Sequence, residues 1–258
     1  MAMVAKRVLA RAGIVDPVTV ALVPDPPDVY PGGPARGRIE LVGGQAEARV
    51  TVVDLRLVTR ALKWDEDGGK RLATEVWGTV GVDGDFTLAP REERTVPFTY
   101  PVPLQASLTH AWGEALRAAE FGLTARARLA WAWDSSAKAD LRVHPLPVQQ
   151  AVLDTLHGLG LRPTSAQTTR GTMDGRLQEL EFHQVVAFEP GPGCAIRAKR
   201  VELTLLPGPD WTGVYLNARR SGMLPGRKEA LRLDLPPAGP VDPHTARRIS
   251  ALVHDALA

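Results

Sequence analysis

The sequence predicts a mainly β protein, two antiparallel β-sandwiches with a few short helices, and three observations carry that prediction. Glycine and proline together make 46 of 258 residues, against an average share of about 12%, so the chain turns often and has no room for long helices. Between the turn clusters, apolar residues recur at a period of two, the mark of half-buried strands. The order helical segment, strand block, break then occurs twice, on either side of residues 144–147. At roughly 150 residues per domain, 258 residues suit two units, and the boundary is placed at 1–148 and 149–258. Hydrophobic residues are 44% and charged residues 23%, enough for packed cores and incompatible with global disorder.

Taken in order, residues 2–12 have helical spacing, with Val4, Val8, Leu9 and Ala12 on one side and Lys6, Arg7 and Arg11 on the other. The expectation is a helix packed on its own domain or on a second copy of the chain; the alternative is a membrane-surface helix. PDPPDVYPGGP (24–34) holds five prolines and two glycines and is read as irregular. Strands are expected at 36–42 and 48–60, where Val53, Leu55 and Leu57 face the core while Asp54, Arg56 and Val58 face water. WDEDGGK (64–70) turns into a strand at 71–80, and another follows at 95–100. Residues 112–120 are read as one or two helical turns. The clearest alternation, at 123–134, puts Leu123, Ala125, Ala127, Leu129, Trp131 and Trp133 on one face. A strand at 139–143 runs into HPLP, and His144, Pro145, Leu146 and Pro147 are read as the interdomain hinge.

The second unit opens with a helix at 149–159, stopped by Gly158 and Gly160. Strands are expected at 164–169, 177–188, 195–206, 213–219 and 230–235. A closing helix spans 243–257, with Asp242 as N-cap and Pro243 as its first residue. Its buried stripe is Ala246, Ile249, Val253 and Leu257.

Charge and targeting exclude several classes. Basic and acidic residues number 31 and 29, and neither half is one-sidedly basic, so no nucleic acid is expected as a partner. No apolar run reaches the length of a transmembrane helix, and the N-terminus lacks a secretion-signal core. A cytoplasmic location is expected. With Cys194 as the single cysteine, an intramolecular disulfide framework and any cysteine-based zinc site are excluded.

The candidate chemistry is thin. His110, His144, His157, His183, His244 and His254 form no HxH, HxxxH or HExxH spacing, so no metal site is expected, and His183 in LEFHQVV is read as structural. Asp65, Glu66 and Asp67 are read as a solvated hairpin tip, as are Asp83 and Asp85. Glu179 and Glu181 would share a strand face about 7 Å apart, a spacing a glycosidase pair could use, without a visible pocket to raise one pKa. Cys194 in GPGCAI is read as passive. GGPARG (32–37) is flanked by prolines and followed by a strand, which disqualifies it as a phosphate loop. Trp131 and Trp133 are expected as core aromatics, with a stacking platform for bases or sugars as the alternative. No catalytic or cofactor-binding residue is assigned, and no cofactor is expected.

Through VYPGGPARGRIELVGG (29–44), Asp54–Arg60, PFTYPVPLQASLT and, most closely, AWAWDSSAKADLRVHPLPVQQAVLDTLHGLG (130–160), and so along nearly its whole length, the chain resembles the sporulation-control (SpoOM-type) family. LEFHQVVAFEP, KRVELTLLPGPDWTGVYLNARR and the closing helix extend the resemblance. The chain departs from the family in the aromatic run 131–133, the Pro-Gly turn 191–195, and loops 222–229 and 236–241. The resemblance implies an arrestin-like arrangement of the two sandwiches and transfers no catalytic residue. It also implies a non-enzymatic regulatory or scaffold role in sporulation or stress signalling, through contacts with an as yet unknown protein partner. A membrane adaptor using residues 2–12 and a carbohydrate-binding or hydrolytic sandwich are the alternatives, and a second copy is carried as a further partner.

Overall fold

The computed structural model describes residues 18–64, 67–173, 178–219, 230–235 and 241–257. The expected helix at 2–12, together with Asp65 and Glu66, lies outside the described residues. In chain order the first strands are β1 (Thr19–Pro24), β2 (Asp28–Val29), β3 (Pro34–Val42), β4 (Ala48–Trp64), β5 (Lys70–Asp83), β6 (Phe86–Leu88) and β7 (Glu93–Pro101). Next come β8 (His110–Ala111), β9 (Glu114–Ala115), β10 (Phe121–Leu129), β11 (Ser135–Asp140) and β12 (Arg142–Val143). Helix α1 (Pro147–Gly158) leads to β13 (Leu161–Arg170), β14 (Phe182–Pro190), β15 (Arg200–Pro207), β16 (Thr212–Arg219) and β17 (Ala230–Leu235), and α2 (Pro243–Leu257) closes the chain.

The fold is mainly β, as expected, with sandwich-like sheets. One sheet has the antiparallel order β1-β3-β7. It faces a larger sheet in the order β11-β10-β4, with β5 and β6 on the other side of β4. Ile39, Leu41, Leu55, Leu57, Leu123 and Ala125 are fully buried between them. Between them along the strands stand Arg38, Glu40, Arg56, Thr124 and Arg126, which are half-buried or exposed, and this alternation is why the segments settle as strands with a dry face toward the facing sheet. Gly37 is required by close approach: a Cβ there would lie 2.3 Å from the Val23 carbonyl oxygen and 2.8 Å from Phe98 Cζ.

The large sheet does not stop at the first strand block. Beyond its pairing with β10, β4 is joined by β13 in parallel, with Thr168 opposite Ala61 and Thr169 opposite Leu62. From there β13-β14-β15-β16-β17 continue antiparallel. Helices α1 and α2 pack on each other, α1 against β13 and α2 against β17. Val148, Val152, Leu153 and Leu156 of α1 and Ile249, Val253 and Leu257 of α2 are buried. Helix α1 begins two residues before its expected start, because Pro147 suits the first helical position and Gln149 Oε1 accepts the Leu146 N–H at 2.8 Å. Asp242 caps α2 as expected, its carboxylate accepting from the His244 and Thr245 amides at 2.8 and 3.0 Å.

Four expectations are corrected. Residues 112–120 are not helical: Trp112 and Gly113 have φ of 53° and 79° and make the two-residue turn of the β8–β9 hairpin, the geometry that a left-handed pair imposes. Strand β10 ends at Leu129, where its register on β4 shifts, so Trp131 and Trp133 leave the core face and stand 64% and 73% exposed. Asp54 is 1% exposed rather than wet, because Arg56 Nε at 2.9 Å and Arg128 Nε at 3.0 Å cover its two oxygens. Strands expected from 177 and 195 begin at Phe182 and Arg200.

Candidate functional site at the junction of the two halves

Two very short strands of the first half anchor the segment that leads into the junction. β2 and β12 pair in parallel, Asp28 opposite Arg142 and Val29 opposite Val143. The Arg142 amide donates to the Pro27 carbonyl and the His144 amide to the Val29 carbonyl, both at 2.9 Å. That clamp sets the Asp28 carboxylate against two side chains, His144 Nε2 at 2.7 Å and the Arg142 guanidinium Nη2 at 2.5 Å. Hydrogen bonds from His144 and then Arg142 hold the Asp28 carboxyl below its ordinary value, since both favour the carboxylate.

Around this pair the rings converge. The His144 imidazole sits 5.7 Å from Tyr30 and 5.6 Å from His110, ring centre to ring centre. His110 Nδ1 lies 3.0 Å from Thr109 Oγ1. Burial first, and then the neighbouring His144 and Arg142, push the His110 pKa down. The Thr109 hydroxyl donates to the Leu141 carbonyl and accepts from the Val143 amide, so it is a strut of the junction. Two residues beyond His110, Trp112 Nε1 donates to Asp154 Oδ1 of α1 at 2.7 Å, and its ring lies 5.2 Å from His157. The result is an aromatic and imidazole surface, with Tyr30 54% and Trp112 38% exposed, fixed to both halves. Chemically it offers ring stacking and ion pairing to a partner.

The expected hinge residues lie in this junction. His144 is one arm of the clamp, Leu146 donates its amide to Gln149, and Pro147 opens α1; Pro145 stands between them. Asp28, Tyr30, His110 and Arg142 escape sequence reasoning because Asp28 and His144 are 116 residues apart and two-residue strands have no readable period.

A second feature is a groove of about 340 Å³ on the open face of β13–β16, with Trp64, Met173, His183, Val185, Glu202 and Tyr215 among its lining. The remaining sequence candidates are scattered. Among the described residues no group of three or more metal-ligating side chains converges. His183 Nδ1 is 3.0 Å from the Gly171 carbonyl. Glu179 and Glu181 lie outside β14, exposed to solvent, and Glu181 pairs with Arg170 at 2.9 Å, so no shared strand face exists for a glycosidase pair. Cys194 Sγ is 3.1 Å from the Leu159 carbonyl oxygen. Asp83 pairs with Arg94 and Asp85 with Arg49, and Asp67 is exposed in a turn. No described helix is long and apolar enough to cross a membrane.

Comparison with known proteins gives one consistent answer. The sporulation-control protein spo0M of Bacillus subtilis (strain 168) is 26% identical over 189 residues, covering 73% of this chain and 69% of that protein. The crystal structure of Spo0M from Bacillus subtilis shares the fold, with a TM-score of 0.76 at 19% identity over 93% of this chain and 98% of that one. The family model described as SpoOM protein matches residues 5–222. That span is most of the sequence, and the chain belongs to the SpoOM protein family.

Proposed function

We propose that this chain is a non-enzymatic regulatory or scaffold protein of the cytoplasm, acting in the control of sporulation or in a stress response through protein–protein contact. The observation that carries the reading is the family match over residues 5–222, together with a relative named as a sporulation-control protein. Residues 1–148 and 149–258 serve as two units, and His144–Pro147 is the interdomain hinge between them. The junction surface supplies the contact. Exposed tyrosine and tryptophan on a rigid base are the side chains that most often dominate protein interfaces, because they bring large apolar area at little cost in rotamer freedom.

Deleting the gene in its host and restoring it tests this reading. Loss of normal sporulation or stress survival is expected on deletion, with recovery by the wild type and not by a Tyr30→Ala/Trp112→Ala variant whose unfolding midpoint is unchanged. A deletion with no effect on either phenotype, or full recovery by the variant, overturns it.

A further inference from the structure

The groove on the open face of β13–β16 has a polar floor. Thr169 stands opposite His183 and Thr204 opposite Tyr215 in the strand register, and all four line the groove together with Trp64 and Met173. Its volume of about 340 Å³ is that of a small-molecule site, at the lower end of the range.

Two of the floor residues carry an unpaired polar group. Thr169 is 9% and Thr204 3% exposed, and among the described residues neither hydroxyl has a hydrogen-bond partner. Buried hydroxyls are ordinarily paired, because an unpaired one has given up its bonds to water for nothing. Two on a single groove floor point to a ligand that supplies the partners. They stand on β13 and β15, with β14 between, so they are roughly 10 Å or more apart.

The ionic groups of the lining are paired already. Arg170 meets Glu181 at 2.9 Å, and Glu202 meets Arg200 at 3.3 Å and Arg219 at 3.5 Å. A ligand therefore gains little here from a formal charge, and a purely apolar one would leave both hydroxyls without partners. What fits is a neutral molecule whose groups both donate and accept hydrogen bonds and which also has a flat C–H face. Asn217 gives its side-chain N–H to Glu202 at 3.2 Å, which leaves its carbonyl oxygen as a further acceptor. Trp64, 53% exposed, supplies a platform for the flat face. Lys70 Nζ lies 5.1 Å from its ring centre and orients the ring.

We propose that this groove binds a carbohydrate of two linked pyranose rings, with one ring stacked on Trp64 and sugar hydroxyls paired with Thr169 and Thr204. A sugar hydroxyl donates and accepts at once, as each threonine requires. Two rings span the separation of the threonines, which a single ring does not. The groove shares no residue with the junction surface, so the site is additional to the function proposed above.

Titration of the full chain with cellobiose, maltose and N,N′-diacetylchitobiose tests the proposal, each sugar carried to about 20 mM because a small open site binds in the millimolar range or tighter. At least one sugar is expected to give saturable amide shifts in 1H–15N spectra, confined to the segments that line the groove. Trp64→Ala removes the platform and is expected to weaken binding about fivefold or more. Thr204→Val keeps the shape of the side chain and removes the hydroxyl. It is expected to weaken binding about fivefold while its denaturant midpoint holds or rises, since no bond within the protein is lost. A midpoint that falls instead would show the hydroxyl to be bonded within the fold and overturns the proposal. So does the absence of a saturable shift with all three sugars, or binding that both substitutions leave unchanged. Binding of the tripeptide Ala-Ala-Ala in place of the sugars overturns it as well, by giving the groove to a peptide. None of these results bears on the junction surface, which the phenotypic test reads separately.

Discussion

Asp28 shows how a single side chain acquires its chemistry from position. Nothing in PDPPDVY distinguishes it, yet the β2–β12 clamp brings His144 and Arg142 to its two oxygens. His110 stands beside them, its pKa lowered from 6.5 mainly by burial, and further by His144 and Arg142 against the opposing pull of Asp28 and Glu114. The folded chain therefore resists protonating His110, while the unfolded chain does so at the ordinary value. Wherever the unfolded state binds more protons, stability rises with pH. The contribution of His110 is thus complete above 6.5 and erodes as pH falls below that value. Asp28 acts in the same direction lower down, losing its contribution as pH drops through its lowered folded value. Urea unfolding between pH 7 and pH 5 should show a loss of stability that His110→Gln makes shallower. Identical slopes for the two proteins would remove His110 from the account.

At the scale of elements, sequence was readable where a period or a cap was complete within one segment. β10 and α2 show it: Leu123, Ala125, Ala127 and Leu129 are buried in alternation, and Asp242, whose hydrogen bonds from Thr245 and His244 pull its pKa to about 2, caps a helix that begins at Pro243. Reading failed where the deciding geometry belongs to a partner strand. The shift between β10 and β4, which releases Trp131 and Trp133, is written in neither strand alone. Gly37 is a third kind of case, since its necessity appears only once β1 and Phe98 are in place. Gly37→Ala would push a methyl against the Val23 carbonyl and the Phe98 ring, and neither the backbone nor a packed ring yields freely. A loss of about 1–3 kcal/mol is expected, read as a lower denaturant midpoint at unchanged slope. A neutral result would mean that β1 moves away from β3 without cost.

For the molecule as a whole, the question is how strongly the halves on either side of His144–Pro147 are coupled. Two strand blocks and a proline-rich break are visible in the sequence, but the contacts that cross between them are not, because each joins residues far apart along the chain. β4 and β13 share one sheet. Ser107 Oγ and Thr168 Oγ1 meet at 2.8 Å, and the Gln184 amide both accepts from the Leu108 N–H and donates to its carbonyl. Trp77 of β5 stacks on Phe182 of β14 at 5.2 Å and meets Phe121 of β10 edge-on at 5.6 Å. Hydrogen bonds across such a junction contribute about 1 kcal/mol each, whereas truncating a large aromatic costs about 3–5 kcal/mol. The ring cluster therefore dominates the coupling, and its removal should be felt by both halves. Wild-type protein is expected to unfold in one calorimetric transition, with calorimetric and van't Hoff enthalpies equal. Trp77→Ala should lower the midpoint and split or broaden the transition, raising the ratio of the two enthalpies above one. A lower midpoint with the ratio unchanged would show that Trp77 packs the core without joining the halves, and would pass the coupling to the β4–β13 ladder.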